Sequence, residues 1–199
     1  MGNVQLLLRQ HVGAPCAPCV KVGDDVKKGT LIATPTGLGA NIFSSVYGKV
    51  VDITDDRIII EPVAEQPDEF VPIDVPADAT KLDMIKAAGI VGMGGAGFPT
   101  GVKLNINLAE TPLAELDPEI NPELPADFKL DHSYILINAA ECEPGLEHNI
   151  KQLVEQTDKV IRGVKYCMEI THADKAIFAI KKKHHDAIKH LDAALKDEA

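Results

Sequence analysis

Residues 92–103 read Gly92-Met93-Gly94-Gly95-Ala96-Gly97-Phe98-Pro99-Thr100-Gly101-Val102-Lys103. Gly92, Gly94, Gly95 and Gly97 each remove a Cβ where the backbone can approach a ligand closely or take positive φ. Successive amides in such a bend form a concavity for an anion, and Lys103 adds a point charge suited to a phosphate. A helical pattern, Leu82, Ile85 and Ala88, precedes the glycines, whereas a Rossmann fingerprint follows a strand. No Gly-Lys-Ser/Thr closes the bend, so it is not a phosphate-binding P-loop. On spacing alone, a ligand-binding loop and a plain glycine-rich turn stand level.

Downstream, Tyr134-Ile135-Leu136-Ile137 is a continuous apolar run, which predicts a strand buried on both faces. It ends in Asn138-Ala139-Ala140-Glu141-Cys142-Glu143-Pro144-Gly145. Ligands in open α/β sheets sit at the carboxyl ends of strands, where Asn138, Glu141 and Glu143 could hydrogen-bond a heterocycle or ribose. The competing reading is helix capping. Acidic residues before a helix favour its positive end, and Pro144 suits a first helical position. From Leu146 to about Glu169, apolar residues at three- and four-residue steps predict one helix. Ala176 to Ile180 predicts a second strand, and Ala187, Ile188, Leu191 and Leu195 a last amphipathic helix. Strand, helix, strand, helix implies a parallel α/β sheet. The Pro- and acid-rich stretch from Glu110 to Asp127 is expected to be an exposed insertion.

Upstream, from Val4 to about Glu61, short strand-like pieces such as Val20-Lys21-Val22 and Arg57-Ile58-Ile59-Ile60 alternate with turn signals such as Gly23-Asp24-Asp25. This predicts a compact β sandwich or barrel. The fold class is therefore α/β with a β module: residues 1–64 form the β domain, 65–80 a Pro-rich linker and 81–199 the α/β domain. Cys16-Ala17-Pro18-Cys19 could be a redox dithiol, half a metal site or a cluster ligand pair. A redox motif usually opens a helix, and this one lies in a β-like loop, so structural thiols are favoured. Lys181-Lys182-Lys183-His184-His185 reads as a solvated turn.

Composition excludes several classes. The 199 residues hold 20 Lys and Arg against 30 Asp and Glu, a net charge of −10, with no Trp, five Phe and three Tyr. That balance is poor for gripping phosphates or stacking bases, so nucleic acid is not the expected partner. No apolar run approaches the ~20 residues of a membrane span. Four cysteines are too few for a disulfide scaffold. A cytoplasmic, reducing compartment is the expectation.

The run Gly94 to Lys103 closely resembles the flavin loop of the NADH-oxidising, FMN-bearing subunit of respiratory complex I, and Ile137 to Pro144 resembles its strand-end motif. The similarity is closer still to the C subunit of the Rnf electron-transport complex and its soluble relatives, including those associated with proline reductase. Gln10-His11-Val12-Gly13-Ala14-Pro15, Val20 to Gly29 and Ser44 to Val50 resemble the opening module of that Rnf protein. The resemblance implies an N-terminal barrel-sandwich hybrid followed by a partial Rossmann-like α/β FMN-binding domain. It implies noncovalent FMN, NADH as electron donor, and electrons passed on to iron–sulfur centres. Gly92, Gly94, Gly95, Gly97 and Lys103 would hold the FMN phosphate and ring edge, and Phe98 would lie near the nucleotide. Asn138, Glu141 and Glu143 would contact flavin or nicotinamide nucleotide. No catalytic side chain or metal ligand is expected in this chain, because the cofactor carries the redox chemistry. The partners implied are other subunits of a membrane electron-transport complex, at its cytoplasmic face, or a soluble reductase. The clusters are expected beyond Ala199, the chain being read as the N-terminal part of a longer protein. The alternative is a non-catalytic electron-transfer scaffold or docking module with an incomplete flavin pocket. The opening module also resembles biotinyl and lipoyl carriers, but its expected hairpin tip, Thr34 to Ser45, has no lysine to carry them.

Overall fold

The structure, a computed structural model, describes residues 2–93, 95–110, 132–141, 143 and 145–196. Gly94, Cys142, Pro144 and nearly all of the expected acidic insertion lie outside the described residues. Packing divides the chain into two compact units, Met1–Asn105 and Ile106–Ala199.

The first unit opens with seven strands: β1 (Val4–Leu7), β2 (Cys16–Pro18), β3 (Asp25–Val26), β4 (Leu31–Pro35), β5 (Ile42–Phe43), β6 (Gly48–Ile53) and β7 (Arg57–Pro62). They form two antiparallel sheets, β1-β7-β6-β3 and β2-β4-β5. Strand periodicity of two sends Ile58 and Ile60 of β7 inward, where both are fully buried. They join Leu8, Val26, Ile32, Ala33, Ile42 and Val50 in one core, each large aliphatic contributing about 1.5–3 kcal/mol by burial. Ile32 and Ala33 are adjacent yet both buried, because the register of β4 against β5 slips between Leu31 and Ala33. A bulge of this kind turns two successive side chains to one face.

Val20 to Val22 is not the strand its alternation predicts. The Asp24 carboxylate accepts from the Lys21 amide at 2.8 Å, and Gly23 turns at φ +97°. The side chain thus offers the backbone a turn in place of a ladder. The stretch after β7 is tied down at its start. The Gln66 amide group bonds both the amide and the carbonyl of Tyr47 at 2.8 Å, and the Val71 amide donates to Lys28 O at 2.8 Å.

Helix α1 (Lys81–Ala87) begins at Thr80, which forms a reciprocal capping box with Asp83. The Thr80 hydroxyl and amide hold the Asp83 carboxyl below its ordinary range. At the other end, the Asn41 side chain donates to Ala87 O at 3.0 Å, satisfying a carbonyl the helix leaves open. Gly89 ends the helix at φ +63°, with room for no Cβ, since one would stand 2.3 Å from Asn41 O. These contacts fix the direction in which the chain enters the glycine bend. The short helix α2 (Thr100–Lys103) follows it.

The second unit contains β8 (Tyr134–Asn138), α3 (His148–Glu155), α4 (Thr157–Thr171), β9 (Lys175–Ala179) and α5 (His185–Leu195). The strands β8 and β9 are parallel, running in register from Tyr134 opposite Lys175 to Asn138 opposite Ala179. Two expectations are corrected here. The helix from Leu146 to Glu169 is broken at Gln156, which takes φ −134° and ψ 33°. The Thr157 hydroxyl donates to Leu153 O at 2.6 Å and competes for the carbonyl that a continuous helix would use. Nor is β8 buried on both faces: Tyr134 and Leu136 are exposed, as is Ile177 opposite Leu136. The unit's core is instead Ala139, Leu153, Ala187 and Leu191, with Ile150, Val154 and Phe178 packed against it.

Candidate functional site

Residues 90–100 fold back on themselves. The Thr100 amide donates to Ile90 O and the Gly92 amide to Phe98 O, each at 2.9 Å, and Val91 bridges Pro99 antiparallel. The chain must reverse between these rungs, and Gly95 and Gly97 accomplish it at φ +65° and +64°, where a Cβ is strained.

The bend is seated on the loop joining β1 to β2. The Val12 amide donates to Ala96 O at 2.9 Å. A Cβ on Gly97 would stand 3.3 Å from Gln10 O and 3.4 Å from His11 Cα, so the two backbones meet without a side chain between them. Beneath this contact His11 is buried. The Ala40 amide donates to its Nε2 at 3.1 Å, which leaves Nδ1 as the donor to Val12 O at 3.0 Å. The Cys16 thiol donates to Ala40 O at 3.3 Å alongside the ring, and burial pushes this thiol up. Cys19 is exposed and donates to a different carbonyl, Leu31 O, at 3.4 Å. Desolvation raises the Cys19 thiol as well, against the pull of its own backbone. The C-x2-C is therefore two separate thiols, one in the core and one on the surface.

An open cavity of about 630 Å³ lies against the bend. Val91, Gly92, Met93, Gly95, Ala96 and Gly97 line it from the bend, and Arg9, Gln10, His11 and Val12 from the β1–β2 loop. Among the described residues, the amides of Gly95, Ala96 and Gly97 find no hydrogen-bond partner. Of the expected residues, Gly92, Gly95 and Gly97 are brought together here. Phe98 and Lys103 are exposed and stand outside this lining. The wall supplied by Arg9 to Val12 received no role from the sequence. Its signal was the Gln10-His11-Val12-Gly13 run, which marked a resemblance but not a contact.

In the second unit, the Asn138 side chain accepts from the Ala140 amide at 3.1 Å and shapes the turn leaving β8. Glu141 is 7% exposed. Its Oε1 accepts from the Asn149 amide at 2.7 Å and lies 3.7 Å from His148 Nδ1. A carboxylate at a helix N-terminus satisfies an orphan amide and meets the positive end of the dipole. Glu147, the residue in the capping position, makes no such bond, so Glu141 caps α3 from eight residues upstream. Glu143 is exposed. Among the described residues, no group of three or more His, Cys, Asp and Glu is arranged to hold a metal ion. Nor is any helix among them long and apolar enough to cross a membrane.

The class these features define is a chain of mixed α and β structure, built from several small sheets, with a glycine bend mounted on a β sandwich. The chain belongs to the family of the Nuo51 FMN-binding domain, whose model matches residues 85–199. Residues 2–66 match the RnfC barrel sandwich hybrid domain. Among its relatives is the C subunit of the proton-translocating ferredoxin:NAD(+) oxidoreductase complex of Clostridium ljungdahlii, 37% identical over 98% of this chain and 41% of that protein. The C subunit of the Na(+)-translocating ferredoxin:NAD(+) oxidoreductase complex of Acetobacterium woodii is 33% identical over 95% of this chain and 42% of its own length. The cobalamin reductase PduS of Citrobacter freundii is 37% identical over 58% of this chain and 20% of its own. The chain thus spans well under half the length of these relatives.

The residues present fit a flavin mononucleotide. The cavity is large enough for a phosphate and its ribityl tail, three amides have no acceptor among the described residues, and the glycines keep side chains out of the cradle.

Proposed function

We propose that this chain carries the flavin-binding portion of an electron-transfer protein that takes electrons from NADH and passes them through FMN to iron–sulfur centres or a partner reductase. The observation that carries this reading is the bend: three amides without a partner among the described residues, beside an open cavity and inside the range that matches an FMN-binding domain. When bound, FMN supplies the step from two-electron to one-electron chemistry. The chain's own work is to bind and orient it. The amides of Gly95, Ala96 and Gly97 hold the phosphate, and Gly92 and Gly94 keep the approach free of side chains. Phe98 and Lys103, exposed just beyond the bend, serve the nucleotide as an apolar face and a positive charge. Asn138, Glu141 and Glu143 belong to the nucleotide contacts of the second unit, Glu141 through the strand end it fixes to α3.

In the same reading, residues 1–64 are the barrel-sandwich domain, 65–80 the linker and 81–199 the start of a Rossmann-like domain. The iron–sulfur centres lie in the portion of such proteins outside the matched segment. The partners are subunits of an ion-translocating complex, which would hold the chain at the cytoplasmic face of a membrane, or a soluble reductase. A second reading, a docking module without redox activity, draws on the exposed apolar face of the β8–β9 sheet. Spectroscopy separates the two. The purified chain, mixed with FMN and desalted, retains stoichiometric flavin absorbance, and NADH bleaches it without oxygen. Flavin lost on desalting would overturn the first reading and favour the second, whose flavin pocket is incomplete. Flavin kept but not bleached would leave the flavin site standing and remove NADH as its electron donor.

A further inference from the structure

We propose that Arg9, on the loop joining β1 to β2, anchors the phosphate of the flavin nucleotide, so that the sandwich module completes the cofactor site. The inference rests on the reading of the bend as a flavin cradle and adds to it a residue from outside the matched flavin-binding range.

Arg9 lines the cavity opposite the glycines. It is exposed, and among the described residues it has no ion pair or hydrogen bond. In a chain with ten more acidic than basic residues, an arginine left without a carboxylate is a cation available for a ligand. Its backbone is fixed on both sides. The Leu8 amide donates to Asp56 O and the Cys16 amide to Leu8 O, each at 2.8 Å, while the Gln10 side chain donates to Leu7 O at 3.0 Å. His11, locked to Ala40, and Val12, bonded to Ala96, hold the loop at a set distance from the bend. The guanidinium therefore approaches the cavity from a rigid base. Its planar fork matches two phosphate oxygens, which a lysine cannot do. Lys103, the cation the resemblance supplies, does not line the cavity.

Titrating the full chain with FMN and with riboflavin, which lacks the phosphate, tests this. Loss of one charge-assisted contact predicts about tenfold weaker FMN binding in Arg9→Gln, with riboflavin affinity unchanged, and Arg9→Lys in between. Circular dichroism confirms the fold of each variant. FMN affinity unchanged in Arg9→Gln overturns the inference, as does an equal loss for both ligands. If the parent chain binds neither ligand, the flavin reading itself fails and takes the role of Arg9 with it.

Discussion

In the first unit, Ile58 and Ile60 alternate into a core that leaves them 0% exposed. In the second, Leu136 and Ile177, just as apolar and paired across β8 and β9, stand 67% and 47% exposed. Both runs satisfy the same strand propensity. What separates them is the opposing layer. The second sheet of the sandwich closes over β7, whereas helix packing covers the β8–β9 pair on one side. An apolar run thus specifies a strand, and the layers around it decide how many faces are buried.

Substitutions sharpen that contrast. Ile58→Ala should have the largest effect, destabilising the first unit by about 2–5 kcal/mol through lost burial and a residual cavity, measured by urea unfolding. Gly163→Ala, in the interior of α4 with open space around it, should stabilise the second unit by up to about 1 kcal/mol. Leu136→Ser should shift stability by no more than about 0.5 kcal/mol; a loss near that of Ile58→Ala would show that the exposed sheet face is covered in solution. The smallest effect concerns pH. The amide and then the hydroxyl of Ser133 hold the Asp174 carboxyl below its ordinary range, linking the starts of β8 and β9. A lowered folded-state pKa stabilises above the unfolded value, about 4, and the benefit is lost as pH falls through the folded value. Asp174→Asn should therefore flatten the acid limb of the second unit's stability and leave that of the first unit unchanged.

Much of this was legible in the sequence. Gly23 marked a turn, and the β-branched Arg57–Ile60 run became a strand. Periodicity could not reveal the break at Gln156, because a side-chain hydroxyl competing for one carbonyl leaves the apolar spacing intact. It could not assign Glu141 either, since capping and ligand binding ask for the same carboxylate at the same strand end. Similarity and packing also draw different lines. The flavin-domain match begins at residue 85, yet α1, the bend and α2 pack within the first unit, which ends at Asn105. Short sequence motifs carry no record of which neighbour they rest on, so the wall built by Arg9 to Val12 emerged only from the fold.

The central claim is that the glycine bend, resting on the sandwich module, cradles FMN. Gly97→Val tests it most directly, because a side chain there meets Gln10 O and His11 and cannot keep φ +64° without strain. Titrated with FMN and followed by flavin fluorescence, the variant should lose binding at least tenfold while its far-ultraviolet circular dichroism matches the parent. Undiminished FMN affinity in a folded Gly97→Val chain would place the flavin elsewhere and contradict the account.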